Sequence, residues 1–228
     1  RSAGRGLLLT GNHAEPGQYV ERAAGGGRAV PFQPPLNVLN RPFLKMFNAA
    51  YRWSRNRKPG PQLTGYEAFF FPLDGVRDWN RLYGPRGPFQ HQSVIPLEAA
   101  RRTVPVLLHA AREAGQGSFL TVLKRFGDVQ SPGMLSFPRP GYTLTLDFPN
   151  KGASTLALLA ELDAITIAAG GAVNPYKDAR MASGTFAASF PDWERLEHIR
   201  DPAFMSSFWA RTAMRLKGRD HEALKAAE

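Results

Sequence analysis

The sequence predicts an α+β fold, an antiparallel sheet covered on one side by helices. Two observations carry this. Strand-like runs recur at "PFQHQSVIP" (88–96), "SFLTVLKRFG" (118–127) and "GYTLTLDFP" (141–149), and they interleave with helical stretches at 97–115 and 153–169. The resulting order, strand, helix, strand, strand, helix, short strand, suits a hairpin-built sheet with its helices on one face. No repeat of roughly 20 to 50 residues competes with that reading.

Taken in order, "GLLLTGN" (6–12) reads as a short strand and "AAGGGRAVPFQPP" (23–35) as a mobile glycine-rich loop. Residues 41 to 58 form a basic amphipathic helix. They hold Arg41, Lys45, Arg52, Arg55, Arg57 and Lys58 without an acid, while Leu36, Leu39, Phe43, Met46, Ala50 and Trp53 recur at three- and four-residue steps. "KPGPQLTG" ends that helix, "YEAFFFPLD" (66–74) reads as a strand and "GVRDWNRLYG" (75–84) as a short helix. The 97–115 helix has Glu98 in its first turn and Gly115 as its stop. Val104, Leu107, Leu108 and Ala111 are its expected buried stripe, and Pro105 is expected to kink it. The apolar 153–169 helix ends at Gly170-Gly171, a tight exit into the last short strand. The expected organisation is a linker region over 1–64, a main domain over 65–217 and a tail over 218–228.

At 228 residues the chain can bury one good core. Apolar residues at 43% and charged residues at 21% suit a globular protein, and no apolar run reaches the roughly 20 residues that cross a bilayer. Cysteine is absent, which excludes disulfides, thiolate metal sites and cysteine nucleophiles. The chain opens at Arg1 without the residue series of a signal peptide, so a cytoplasmic setting and a piece of a longer protein are expected. Of the net charge of +10, residues 1–114 carry +9, so the anionic partner belongs to that half. The basic helix suits either a solvated back to a core-facing helix or a peripheral contact with anionic membrane. No zinc-finger, RNA-binding or helix-turn-helix pattern accompanies the charge, so no nucleic-acid partner is expected.

Candidate chemistry sits on the strands. Gln90 and Gln92 project from one face of their strand, with Phe89 and His91 on the other. Thr143, Thr145 and Asp147 share a face, and Lys124 stands among Leu120, Val122 and Phe126. Water-facing polar residues on the uncovered side of a sheet account for threonines and glutamines. A lysine on an otherwise apolar strand face needs an anion, an acceptor or an edge position. Together, amides, hydroxyls and lysine suit a polyhydroxylated or carbonyl-bearing ligand. In "GGAVNPYKDARM" (170–181), Lys177 stands beside Tyr176, Asp178 and Arg180, as a solvated turn or as a functional lysine. The five histidines lack metal-ligand spacing, so no metal is expected. Glycine-rich phosphate loops and the serine-hydrolase elbow are absent.

The ordered set "FFFPLDGVRDWNRLYGPRGPFQHQSVIP", "FLTVLKRFG", "LSFPRPGYTLTLDFP" and "GGAVNPYKDARM" resembles the C-terminal substrate (cap) domain of FAD-linked oxidoreductases of the vanillyl-alcohol oxidase superfamily, in the decaprenyl-phosphoryl-ribose 2-oxidase branch. The likeness runs over roughly residues 65 to 217. It implies that Gln90, Gln92, Lys124, Thr145 and Phe71 line a substrate pocket, and that Lys177 is catalytic, approaching the flavin together with Tyr176. Phe71 stands where the nearest relatives carry tyrosine or histidine, and Thr145 where mycobacterial members carry cysteine. The cofactor implied is FAD, held mainly by an N-terminal domain outside this chain. The implied reaction is oxidation of a secondary alcohol of a sugar or polyprenyl-phosphate sugar, a precursor of cell-wall polysaccharide. A reductase partner would act on the keto product; the basic helix at 41–58, apart from the resemblance, allows a cytoplasmic position peripheral to the inner membrane. Two other readings stay open: an aldonolactone-type sugar oxidase, and a non-catalytic module binding lipid phosphate or a membrane surface.

Overall fold

A computed structural model describes residues 8–18, 28–35, 41–57, 60–71, 75–118, 120–177 and 180–218. They fall into two compact units, residues 1–87 and 88–228.

In the first unit β1 (Arg28–Ala29) pairs in parallel with β2 (Val76–Arg77), and Arg81 donates to the Val30 carbonyl at 2.8 Å. The basic segment forms α1 (Arg41–Asn56). Several expectations are corrected. Within the expected loop 23–35, Arg28–Ala29 is strand β1, and 23–27 lie outside the described residues, as do Leu36 and Leu39 of the expected helical stripe. "YEAFFFPLD" is not a strand: Tyr66–Phe70 is a short helix, α2, entered from an extended Gly65 and carrying Glu67 in its first turn. None of its side chains is buried, so its aromatic run does not line a sheet core, and five residues are too few for periodicity to separate the two states. Residues 8–12 of "GLLLTGN" form no strand, and Leu8 faces solvent; 6 and 7 lie outside the described residues. "GVRDWNRLYG" divides between β2 and a 3-10 turn at Trp79–Tyr83, separated by Asp78 in the left-handed region at φ 57°.

The second unit holds the expected sheet, ordered β4 (Thr121–Phe126), β5 (Gly141–Pro149), β3 (Pro88–Ile95), β6 (Ala172–Val173), with every pairing antiparallel. Helices α3 (Leu97–Glu113) and α4 (Ala153–Ala168) cover one face. There Ile95, Leu144, Leu146 and Phe148 bury against Leu107, Leu158, Leu159 and Leu162, each such side chain stabilising by roughly 1.5–3 kcal/mol. The stripe of α3 differs from the expected one. Ala100, Thr103, Leu107, Ala110 and Ala111 are buried, whereas Leu108 is exposed and Val104 half-buried. Close packing of α3 on α4 favours the small residues over the more hydrophobic ones. The helix continues through Pro105, which faces solvent, where water can satisfy the carbonyl that its missing N–H leaves behind.

After α4 the chain turns at Gly170, φ 71°. A Cβ on Gly171 would stand 2.5 Å from the Val94 carbonyl oxygen, so the double-glycine exit is what lets β6 reach the sheet. Beyond it, α5 (Ser183–Ser189), α6 (Trp193–Ile199) and α7 (Ser207–Arg211) close a second core in which Phe186, Phe190, Trp193 and Trp209 pack with Val173 and Met181.

Candidate functional site

Directly opposed residues of an antiparallel pair share a face. Gln90 lies opposite Asp147, Gln92 opposite Thr145, and Val94 opposite Thr143; across β5, Val122 lies opposite Thr145 and Lys124 opposite Thr143. Gln90, Gln92, Thr143, Thr145, Asp147 and Lys124 therefore stand together on the face away from α3 and α4. This face is not a simple solvated back. Thr143 and Asp147 are each 1% exposed, Gln90, Gln92 and Thr145 are half-buried, and only Lys124, on the edge strand β4, lies open to solvent. The edge position is how the sheet accommodates that lysine.

The amides on this face are oriented by a chain of hydrogen bonds that begins at the backbone. The Tyr176 N–H donates to Asn174 Oδ1 at 2.9 Å, which leaves the Asn174 amide nitrogen to donate to Gln92 Oε1 at 2.7 Å. Gln92 Nε2 in turn donates to Thr143 Oγ1 at 3.0 Å. A backbone N–H can only donate, so each later amide has its direction settled. Gln90 Nε2 donates to Asp147 Oδ1 at 2.6 Å. Asn174 is a residue the sequence did not single out. It continues β6, its N–H donating to the Gln92 carbonyl at 2.8 Å, and that pairing turns its side chain into part of the face.

The opposite side of β3 carries a second polar cluster. His91 Nε2 lies 3.1 Å from Asp163 Oδ1 on α4, and Arg180 grips the same carboxylate with both terminal nitrogens, one at 2.9 Å. Burial pushes the Asp163 carboxyl up, but the hydrogen bonds from His91 and Arg180, together with their charge, outweigh it and hold the group below the ordinary carboxylate range. This buried group ties β3, α4 and the segment after β6 at one point.

That segment carries Tyr176 and Lys177 in a 3-10 turn (Pro175–Lys177) packed on β3, with the Lys177 N–H donating to the Asn174 carbonyl at 3.4 Å. Both side chains are exposed, while Asp178 lies outside the described residues. The structure thus brings Gln90, Gln92, Thr145 and Lys124 onto one face and sets the Tyr176–Lys177 turn beside Gln92 through Asn174. Phe71 belongs to the first unit, half exposed at the C-terminal end of α2. Among the described residues no group of three His, Asp or Glu side chains could hold a metal. A groove of the second unit lies elsewhere, on α4, where Leu156, Ala160, Ala164 and Ile167 are joined by Asp163, Arg180 and Thr185; its lining is mostly apolar, and Arg180 is already bonded to Asp163.

No protein-family model matches the chain. It is 39% identical over 138 residues to the decaprenylphosphoryl-beta-D-ribose oxidase of Mycolicibacterium smegmatis, which covers 59% of this chain and 29% of that protein. It is 30% identical over 236 aligned positions to an uncharacterized protein in the mprA 5' region of Streptomyces coelicolor, covering 94% of this chain and 62% of that one. The chain thus spans less than two thirds of the length of each of these relatives. The resemblance drawn from the four sequence motifs is borne out as a relation to decaprenylphosphoryl-beta-D-ribose oxidase over 138 residues.

Proposed function

We propose that the sheet face forms the substrate side of an FAD-dependent oxidoreductase that oxidises a secondary hydroxyl of a sugar or sugar-lipid. The observation that supports this most is the directed amide chain from Tyr176 through Asn174 to Gln92. It leaves Gln92 with a second N–H and a second lone pair at defined positions, and Gln90 with its carbonyl oxygen and second N–H. Paired donors and acceptors of this kind match the vicinal hydroxyls of a sugar. Thr145, half-buried opposite Gln92, adds a hydroxyl. Lys124 at the open edge suits an anionic group on the same ligand, as the phosphate of a polyprenyl-phosphate sugar would be. The relative's name carries such a sugar, which favours this substrate class.

The residues fit the polar edge of a flavin ring: an ammonium on Lys177 and a phenol on Tyr176 stand on one exposed turn beside the amides. No glycine-rich cradle for a diphosphate accompanies them among the described residues, so the bulk of FAD would be held by other residues. When bound, the flavin supplies the hydride acceptor. With the group bound, Lys177 would be placed to offset negative charge on it and Gln90 and Gln92 to orient the sugar, the hydroxyl proton leaving to water at this exposed turn. The resulting ketone would pass to a reductase.

The test uses the flavin-loaded protein and stopped-flow bleaching of its absorbance. Lys177→Met and Lys177→Ala should both slow flavin reduction by about 100-fold or more, because charge stabilisation of this type strengthens only as the transition state forms. Gln92→Ala should chiefly weaken binding, having lost contacts made equally in ground and transition states. A methionine variant that reduces its flavin at nearly the wild-type rate would leave Lys177 a solvated turn residue and remove the proposal's catalytic centre.

A further inference from the structure

We infer that α1 is a docking helix for an anionic bilayer surface, which its aromatic face enters while its basic face remains at the headgroups. At about 3.6 residues per turn, Phe43, Met46, Phe47, Ala50, Tyr51 and Trp53 fall in one broad arc of Arg41–Asn56, and Lys45, Asn48, Arg52 and Asn56 fall in the other. Ser54 alone of the polar residues of the helix falls within the apolar arc, and that arc faces outward rather than into a core. Met46 is 64% and Trp53 59% exposed, with Phe47 and Tyr51 also exposed, whereas Phe43 and Leu44 are half-buried. Phe43, Phe47 and Tyr51 align along the helix in a stacked row with centroids 6.3 and 6.2 Å apart, forming a continuous ridge.

Charge selects the occupant. Residues 41–58 contain no acid, so the polar arc pairs cations with neutral amides and carries no negative charge. A protein partner facing such a surface would have to match it with acids of fixed position, whereas an anionic bilayer offers mobile negative charge to any cation at its surface. The Arg57 guanidinium lies 3.9 Å over the Trp53 ring, at the border of the aromatic ridge. That places a cation and an indole at one level, the arrangement that suits the boundary between headgroups and acyl chains. Among the described residues no helix is long and apolar enough to cross a membrane, so α1 would lie in the surface plane. This inference is independent of the oxidoreductase reading, because it uses none of the residues of the amide face.

The chain itself, mixed with vesicles of phosphatidylglycerol and phosphatidylcholine or of phosphatidylcholine alone, provides the test by flotation and tryptophan emission. Trp53 is the exposed indole among the described tryptophans, since Trp193 and Trp209 are buried and Trp79 half-buried. Its emission should shift to the blue on anionic vesicles and be quenched by brominated acyl chains. Lys45→Glu with Arg52→Glu should lower the partition coefficient at least ~25-fold, about fivefold for each lost cation. Phe47→Ser with Trp53→Ser should abolish flotation at physiological salt without changing the melting temperature, because both side chains are exposed. Equal flotation with neutral and anionic vesicles would overturn the proposal, as would binding without bromine quenching on the unsubstituted chain. So would a soluble dimer that the Phe47/Trp53 variant dissociates, which would assign the ridge to a second copy.

Discussion

Replacing Asp163 by alanine should destabilise the second unit by about 3 kcal/mol. Asp163 holds three nitrogens from two directions, His91 Nε2 from β3 and both terminal nitrogens of Arg180 from the segment after β6. The side chains of His91 and Asp163 are 1% and 5% exposed, that of Arg180 21%. Removing the carboxylate leaves His91 with no bond at Nε2, and its Nδ1 already lacks a partner. An orphaned buried donor costs about 1–3 kcal/mol. Breaking a fully buried ion pair costs about 3–5 kcal/mol, but Arg180 can turn partly to water, so its share falls below that range. For a unit of this size about 3 kcal/mol corresponds to a fall of roughly 10 °C in melting temperature. The acid limb should change too. The folded carboxyl lies below its ordinary value of 3.8, so its stabilisation is complete above that value and is lost as pH falls through the lower, folded one. Asp163→Asn, which keeps the shape, should therefore show a shallower loss of stability below about pH 4 than the unsubstituted chain. Thermal melts followed by circular dichroism between neutral and acid pH measure both effects. Hydrogen exchange should meanwhile speed up at the Tyr176 and Lys177 amides, whose segment Arg180 anchors. An alanine variant melting within about 3 °C of the parent, roughly the effect of 1 kcal/mol, with an unchanged acid limb would refute the reasoning.

Gly171→Ala should prevent folding or cost more than about 2 kcal/mol by denaturant melt, because the new Cβ meets the Val94 and Thr166 carbonyl oxygens at 2.5 and 2.9 Å, and backbone cannot yield as a side-chain tip can. Glu197, bonded by Arg200, Trp209 Nε1 and Lys217, has its pKa drawn down to about 2 from 4.5, chiefly by the Arg200 hydrogen bonds. Its stabilisation is thus full above about 4.5 and is lost as pH falls towards 2. Glu197→Gln should flatten that acid transition and, with solvent screening at this site, cost only about 1 kcal/mol at neutral pH. Asn174→Ala should release the Gln92 amide from its set direction and weaken substrate binding by about tenfold, one hydrogen bond's worth, while Asn174→Asp, which keeps the acceptor for the Tyr176 N–H but loses the donor to Gln92, should not restore it in a substrate titration.

The strands of the four-stranded sheet were legible because a period of two survives every packing context: Gln90 and Gln92 face one way and His91 the other wherever β3 lies. The glycine exit at 170–171 was legible for a similar reason, since only backbone geometry is at stake there. Composition misled where several residue types fit one environment. Phe69, Phe70 and Phe71 favour strands intrinsically, yet a short exposed helix accommodates the first two equally well. In α3, hydrophobicity nominated Leu108 where closeness of packing chose Ala110.

The polar clusters depend on contacts that a sequence pattern cannot contain. His91 and Asp163 stand 72 residues apart and Gln92 and Asn174 82 apart, so neither pair exists until β3, α4 and β6 have assembled. Gln92 was nominated for its side-chain chemistry, but chemistry alone leaves an amide free to present either its donor or its acceptor. The direction comes from the Tyr176 backbone N–H, passed on through Asn174. A site that must distinguish one hydroxyl from its neighbour needs that direction held before the ligand arrives, since an amide that must first turn spends part of its binding strength on ordering itself. The turn that bears Lys177 begins at the same asparagine, so the residue that orients the amide also starts the segment carrying the ammonium. Under the proposed function, altering Asn174 should consequently disturb sugar binding and flavin reduction together, whereas Gln92→Ala should affect binding alone.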